Sequence, residues 1–472
     1  LNGNEILYLS QGGADVYTTY SGMLTPQMFA TPGANIANGT TDATTAVQAA
    51  LTAAGVAGKR VFFPAGTYLC TANLNVPIGT FPVDIQGDGM YTATIKFSGT
   101  AVTKGLYYNG VVAYAKCGAI RDISILGASS APRGITWYRI YKAVAERVFV
   151  STFLGAGMHF DETLMSEVSN CQFGGSGSAS EGTIVVDNST TWKWNHNYIS
   201  GGAAAKSCGL MIDSTGVVTI IGGAIESTLT PIKAASKAGR ASGVSQVSIM
   251  GIDLENPGNN PYISIGNGWD GAASSAGINW NVSGCTGSAS GSAQTDYGVS
   301  MEDCQGMHFE ACTIGQAGTP LATFNLVGTA NRGVTIDPHW NLYALAYPWV
   351  LVNGAQRNDA TPIVHFNSEE TTKGYNSGGQ AGALGVNPSA LIAAQGGYYS
   401  AYWIANVGAT DLTTLTGCRR DSYVVLVATN GNTTLKHGTS TDQFRLRGAI
   451  DIVMAASTPY YFWHNGTGWA EL

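Results

Sequence analysis

Glu226 and Glu255 close two segments that align without a gap, Val218-Thr-Ile-Ile-Gly-Gly-Ala-Ile-Glu226 and Val247-Ser-Ile-Met-Gly-Ile-Asp-Leu-Glu255. Each is a short β-branched and apolar run that ends on a carboxylate, the pattern of a strand carrying a functional group at its tip. Stacked as neighbouring strands, the two carboxyl groups lie ~5 Å apart, the separation expected of the acid and the nucleophile in retaining glycoside hydrolysis. Like charges that close split their titration, leaving one protonated acid and one ionised base or nucleophile. Asp253, two residues before Glu255, faces the same side by strand alternation and is the reserve partner. The competing role is structural, in which strand-end carboxylates accept backbone N–H bonds or are simply solvated. The equivalent positions in the two preceding segments are Gly174 and Ser200, so acidity is confined to two adjacent units, unlike a purely structural ladder.

Sugar rings are gripped by flat apolar faces with hydrogen-bonding groups beside them. Trp192, Trp194, Tyr198, Trp269 and Trp280 are near the acidic pair in sequence and are the candidate binding aromatics. Alternation puts Trp192 and Trp194 on one face, either both in the core or both outside it. Lys233, Lys237 and Arg240 fall in the stretch between the two glutamates. They either bind an acidic sugar, supply the base of a lyase, or keep a loop solvated. Glu302, Asp303 and Glu310, near His308, form a second acidic group whose competing reading is a solvated turn. His159, His196, His308 and His339 show no H-x-x-x-H or H-E-x-x-H spacing, so no metal is expected. Gly174-Gly-Ser-Gly177 lacks the following Lys-Ser/Thr of a phosphate loop, and no cofactor is expected.

The elements that must position these groups repeat. Asp161, Asp187 and Asp213 each end a Gly-led apolar run and are spaced by 26 residues; Phe173, Ile199 and Ile225 follow them, each 12 residues later. Glu302 and Ile314 show the 12-residue offset again. An aspartate recurring in every unit reads as a turn-forming Asx ladder, not as chemistry. The units contain runs of three to six apolar or alternating residues parted by Gly, Ser, Asn and Asp, which are strands and turns with no helical period. A unit this small cannot bury its own apolar face and must stack on its neighbours. A parallel β-helix with one coil per repeat satisfies this, whereas propeller blades need about 40–50 residues.

Composition agrees. Glycine supplies 62 of 472 residues and charged residues only 11%, against about 25% charged in average usage. An apolar content of 44% is too high for a disordered tail, and no apolar run reaches the ~18 residues of a membrane helix. A net charge of −7 leaves no basic footprint for nucleic acid or an anionic membrane. The eight cysteines contain no C-x-x-C pair and read as stacked core thiols. The chain starts at Leu1 with no charged-then-apolar leader, which reads as a trimmed chain.

Ahead of the repeats, GTTDATTAVQAAL (residues 39–51) reads as a capped, Ala-rich helix with Asp42 or Thr44 at its start, placed to shield the open end of a coil. VFFPAGTYL (residues 61–69) follows as a strand broken by a Pro-Ala-Gly turn. This pair of motifs resembles the opening of the pectate-lyase-like right-handed β-helix proteins of bacteriophage tailspikes, over about residues 26–345. The resemblance implies an all-β fold and an enzyme that binds and cuts a bacterial surface polysaccharide, a capsule or lipopolysaccharide O-chain. It further implies a homotrimer attached to the phage tail or baseplate through a part preceding this chain, and a place on the virion after synthesis in the host cytoplasm. Glu226-Ser227 and Glu255-Asn256 match the "strand, Glu, then Asn or Ser" pattern such chains carry on the substrate face. A non-catalytic receptor-binding spike and a polysaccharide lyase using the Lys233–Arg240 loop are the alternative functions. Residues 1–25 resemble the connector to a particle-binding part. Residues 346–376 read as a linker, and residues 377–472 as a small antiparallel β-sandwich for trimerisation or glycan binding, with an Asn430-Gly431 turn.

Overall fold

The structure, a computed structural model, describes residues 10–11, 14–15, 23–78, 81–111, 114–128, 131–178, 181–201, 208–235, 243–255, 260–266, 277–288, 297–314, 322–327, 332–336, 350–353, 364–366, 390–392, 399–404, 409–416, 423–428, 431–441, 443–456 and 458–472. The chain forms two compact units, Leu1–Gly258 with Gly268–Ser275 and Cys285–Ser290, and Asn259–Asn267 with Ala276–Gly284 and Gly291–Leu472.

The first unit is a right-handed parallel β-helix, and its register is the one the repeat predicts. Asp161 pairs with Asp187 and Asp187 with Asp213, while Phe173 pairs with Ile199 and Ile199 with Ile225. A typical coil has a long strand, Thr190–Ser200, bent at His196, and a strand, Cys208–Asp213, leading to the next coil at Gly216–Glu226. The bends are single residues in the left-handed region. Asp122, Arg147, Asn170, His196, Gly222 and Gly251 take it at one corner, and Glu162, Asn188 and Ser214 just after the aspartate ladder. A residue with positive φ turns the strand without costing a whole loop, and just past the ladder Ser214 Oγ donates to Asp213 Oδ1 at 2.7 Å.

Inward side chains fill the coil in rows. Tyr108 stacks on Trp137 at 5.7 Å between ring centroids, Trp137 on Phe160 at 4.5 Å, and Phe160 meets Trp192 edge-on at 5.8 Å. Such pairs add about 0.5–1.5 kcal/mol each beyond the area they bury. The thiols of Cys70, Cys171, Cys208 and Cys285 are buried and unoxidised in this unit, as core packing requires; Cys418 lies outside the described residues.

The helix spans Thr44–Ala57 and buries Ala46, Val47, Ala50, Leu51 and Ala54 on one face. Asp42 Oδ1 accepts from Thr44 N at 2.9 Å and from Thr44 Oγ1 at 2.6 Å, organising its start, and Gly58 ends it at φ 64°. Burial alone would raise the Asp42 carboxyl, but hydrogen bonds from Thr44 and Thr71 hold it below its ordinary range. The Gln48 amide bonds both N and O of Asn75 at 2.8 Å, clamping the helix to the strand Gly66–Val76.

In the second unit parallel strands recur. Ile263–Ile265 pairs with Tyr297–Glu302, which pairs with Ala322–Val327 and that with Val350–Asn353; Gln305–Glu310 pairs with Arg332–Ile336 and that with Val364–Phe366. The parallel register thus runs past residue 345 into the segment read as a linker. Further on, three more strand pairs are parallel at offsets of 23 or 24 residues, Ala390 on Thr414, Tyr399 on Tyr423 and Thr410 on Thr433. Tyr423–Ala428 then pairs antiparallel with Pro459–His464, and that strand with Trp469–Glu471. The C-terminal sheets are therefore mixed, not wholly antiparallel, because they begin with two coil-like turns before the chain reverses. Leu426, Leu435, Phe444, Phe462 and Trp469 are their buried core. Asn430 and most of residues 1–25 and 346–376 lie outside the described residues.

Candidate active site

Strand pairing places the two segments ending in Glu226 and Glu255 on each other as their sequences align. Val218 pairs with Val247, Ile220 with Ile249, Ala224 with Asp253 and Ile225 with Leu254. One residue on, Glu226 and Glu255 occupy the same position in consecutive coils. Ile225 and Leu254 are 0% and 1% exposed, so alternation turns the flanking carboxylates outward, and both are half-buried. The same column holds Gly174 and Ser200 on one side and Ser288 on the other.

The parallel column two residues earlier holds Gln172, Tyr198, Ala224, Asp253 and Thr286. From it the Tyr198 hydroxyl donates to Glu226 Oε2 at 2.8 Å. That bond, then burial, then the Glu226 and Glu255 charges, push the Tyr198 phenol above its ordinary value. Tyr198 therefore senses both carboxylates and stays protonated at neutral pH. Asp253 Oδ1 accepts from Thr286 Oγ1 at 2.8 Å, which ties it to the following coil. Backbone close behind the pair is fixed by Gly201, whose N donates to Glu226 O at 2.8 Å. A Cβ at Gly201 would lie 1.9 Å from the Ser227 carbonyl oxygen.

Three of the aromatic residues expected to hold sugar do not. Trp192, Trp194 and Trp280 are 0%, 0% and 1% exposed. Trp192 packs on Phe160 and the Trp194 indole N–H donates to Gly222 O at 2.9 Å. Burying an indole gains more than exposing it on an uncharged strand face, so the alternation that pairs Trp192 with Trp194 points both inward. Lys233 lies within the strand Thr230–Ala235, paired with Met211, and not in a loop, because the pairing of Cys208–Asp213 extends through it. Lys237, Arg240, Asn256 and Trp269 lie outside the described residues.

The structure instead brings other aromatic side chains to the face of Tyr198. Tyr91 is 62% exposed; its hydroxyl is hydrogen-bonded to the Gln172 side chain, and its ring lies 5.6 Å from that of Phe149. Phe149 pairs with Gln172, and Gln172 with Tyr198. Sequence reasoning misses Phe149 because Val148-Phe149-Val150 reads as an unbroken apolar run, although its two valines point in and its phenylalanine out. Tyr91 sits between strands and belongs to no repeat.

In the second unit His308 Nε2 lies 3.0 Å from Glu310 Oε2, and burial, then the Asp303 charge, raise the Glu302 carboxyl above its ordinary value. Among the described residues no three His, Cys, Asp or Glu side chains converge as metal ligands would.

Residues 33–249 match the family model for rhamnogalacturonase A/epimerase, pectate lyase-like. That segment lies within the parallel β-helix. No curated protein matches the chain in sequence. Among solved structures, it is similar to ORF18 of Geobacillus virus E2 at 14% identity and a TM-score of 0.47, over 74% of this chain and 62% of that one. It is similar to the pre-mature gene product 12 of bacteriophage phi29 at 13% identity and a TM-score of 0.47, over 87% of this chain and 66% of that one. It is also similar to tailspike protein 2 of Escherichia coli O157:H7 bacteriophage CAB120 at 14% identity and a TM-score of 0.45, over 67% of this chain and 42% of that one. The chain thus spans less than two thirds of the length of each of these structures.

Proposed function

We propose that this chain is a phage tailspike depolymerase that cuts a bacterial capsule or O-chain polysaccharide by glycosidic hydrolysis. The observation that carries this reading is the Glu226–Glu255 column, two outward carboxylates one strand spacing apart with Tyr198 on the first. A spacing of ~4.8 Å suits a retaining pair, in which one carboxylate attacks the anomeric carbon while the other protonates the leaving oxygen. Tyr198 donates to Glu226 Oε2 and holds it in place across adjacent coils; of the two glutamates one acts as nucleophile and the other as acid, with Asp253 in reserve. The match to a family model named for polysaccharide-acting enzymes supports a glycan substrate. A lyase needs a basic group to take a proton, and a tyrosine whose proton is held more tightly than usual is poorly suited to that task. A virion location, a homotrimer and attachment through a preceding part complete the proposal, on the tailspike resemblance of the opening motifs.

Incubation with polysaccharides from a panel of hosts tests it. New reducing ends without the ultraviolet absorbance of an unsaturated sugar are expected. Absorbance appearing with cleavage means a lyase, and binding without shortening means an adhesin; either outcome rejects hydrolysis. Sedimentation giving a monomeric mass at micromolar concentration rejects the trimer.

A further inference from the structure

Two columns of side chains lead along the coil axis to the Glu226–Glu255 pair; in them Thr94, Ser124 and Ser151 are buried and Phe149, Gln172, Tyr198 and Ser200 half-buried. The first runs Thr94, Ser124, Phe149, Gln172, Tyr198 and Ala224, and the second Lys96, Leu126, Ser151, Gly174 and Ser200 before Glu226. Beyond Lys96, neither column carries a charge before the carboxylates. The floor offers two ring faces, Tyr91 and Phe149, tilted at 51° to each other, then the Gln172 amide, then the Tyr198 ring. Tyr91 is 62% exposed yet held in place through its hydroxyl bond to Gln172. An exposed tyrosine anchored this way against a half-buried phenylalanine is a binding feature, because core packing does not need it. From Phe149 to Ala224 is three strand spacings, ~14 Å.

We infer that Tyr91, Phe149, Gln172 and Tyr198 form a binding track that seats an uncharged stretch of polysaccharide and feeds the bond beyond it to Glu226 and Glu255. The chemistry selects the occupant. Ring faces accept the apolar faces of pyranoses, the Gln172 amide and the half-buried Ser200 hydroxyl accept and donate to sugar hydroxyls, and none of Tyr91, Phe149, Gln172 and Tyr198 is a cation that would compensate a uronate or sialate. The track is continuous with the carboxylate pair through the Tyr198–Glu226 bond, so a chain lying on it meets the pair without leaving the surface. This inference rests on the hydrolase reading for the site it feeds.

The test uses the full chain on an array of purified bacterial polysaccharides, one set uncharged and one bearing uronic or sialic acids. Glu226→Gln serves as the non-cleaving background for binding. Tyr91→Ala is expected to weaken binding to an uncharged polysaccharide about tenfold and to raise KM with little change in kcat. Tyr91→Phe, which keeps the ring, is expected to retain most of the affinity, and Phe149→Ala to behave as Tyr91→Ala. Unchanged melting temperatures exclude unfolding as the cause. Equal binding by wild-type and Tyr91→Ala chains, with cleavage still abolished by Glu226→Gln, overturns the track and leaves the hydrolase reading standing. Capture of acidic polysaccharides alone also overturns the track. Cleavage that survives Glu226→Gln while Tyr91→Ala still weakens binding overturns the site reading and keeps the track.

Discussion

Tyr198 and Glu226 are joined across adjacent coils by an O–H···O bond of 2.8 Å, and the phenol is consequently harder to ionise than a free tyrosine. The folded-state value lies above the ordinary 10.0. Its contribution to stability is therefore fully present below the ordinary value and is lost as pH rises through the folded one. Activity is expected to hold through the neutral range and fall only in strong alkali as Tyr198 loses its proton. Tyr198→Phe is expected to slow cleavage roughly tenfold, the scale of one hydrogen bond to a charged group. It is also expected to abolish that alkaline step. A pH–rate profile unchanged by Tyr198→Phe would show that the bond has no part in the chemistry.

Glu226→Gln and Glu255→Gln are each expected to cut turnover by at least ~100-fold, the usual scale of acid–base assistance. Both carboxylates are at the coil surface, so melting temperature and polysaccharide binding are expected to stay near wild type. Initial rates on the same polysaccharide decide the matter. If both variants turn over at wild-type rates, Glu302, Asp303 and Glu310 are the next group to test.

The repeat made the register of the Glu226 and Glu255 strands legible. Because a parallel coil pairs each residue with its equivalent one repeat on, the 26-residue spacing and the gapless Val218–Glu226 and Val247–Glu255 alignment translate directly into register. What periodicity of two cannot give is which of the two faces points inward when both are apolar. Trp192 and Trp194 show this, since their alternation was readable but its sense was set by the space inside the coil, where Phe160 meets Trp192. Phe149 is the mirror case, hidden in an apolar run and outward-facing. Tyr91 joins the site only through tertiary contact with Phe149 and Gln172, which no local pattern encodes. At the C-terminus, short alternating strands with a turn signal read as hairpins. The parallel pairs at 24-residue offset lack a shared motif to reveal them.

Trp194→Ala is expected to destabilise the first unit by about 3–5 kcal/mol, the cost of emptying a large core site. The loss includes the indole bond to Gly222 O. Thermal unfolding is expected to shift downward, while polysaccharide affinity measured well below the transition stays unchanged. A variant that melts like wild type but binds polysaccharide poorly would return Trp194 to the binding surface.

Gly201→Ala separates the backbone's role from that of the carboxylate. Gly201 N donates to Glu226 O at 2.8 Å, and an added Cβ would sit 1.9 Å from the Ser227 carbonyl oxygen and 2.9 Å from Thr228 Cγ2. No rotamer relieves a clash with a carbonyl, so the Glu226–Thr228 backbone has to move away. A displacement of about 1 Å at a catalytic group costs on the order of 100-fold in rate. Gly201→Ala is thus expected to lower kcat nearly as far as Glu226→Gln, with the carboxylate still present and Tyr91 and Phe149 untouched. KM for the polysaccharide is expected to change little, because the track lies on earlier coils. Full activity in a folded Gly201→Ala chain would show that the position of Glu226 is not critical, and with it that the Glu226–Glu255 column is not where the bond is cut.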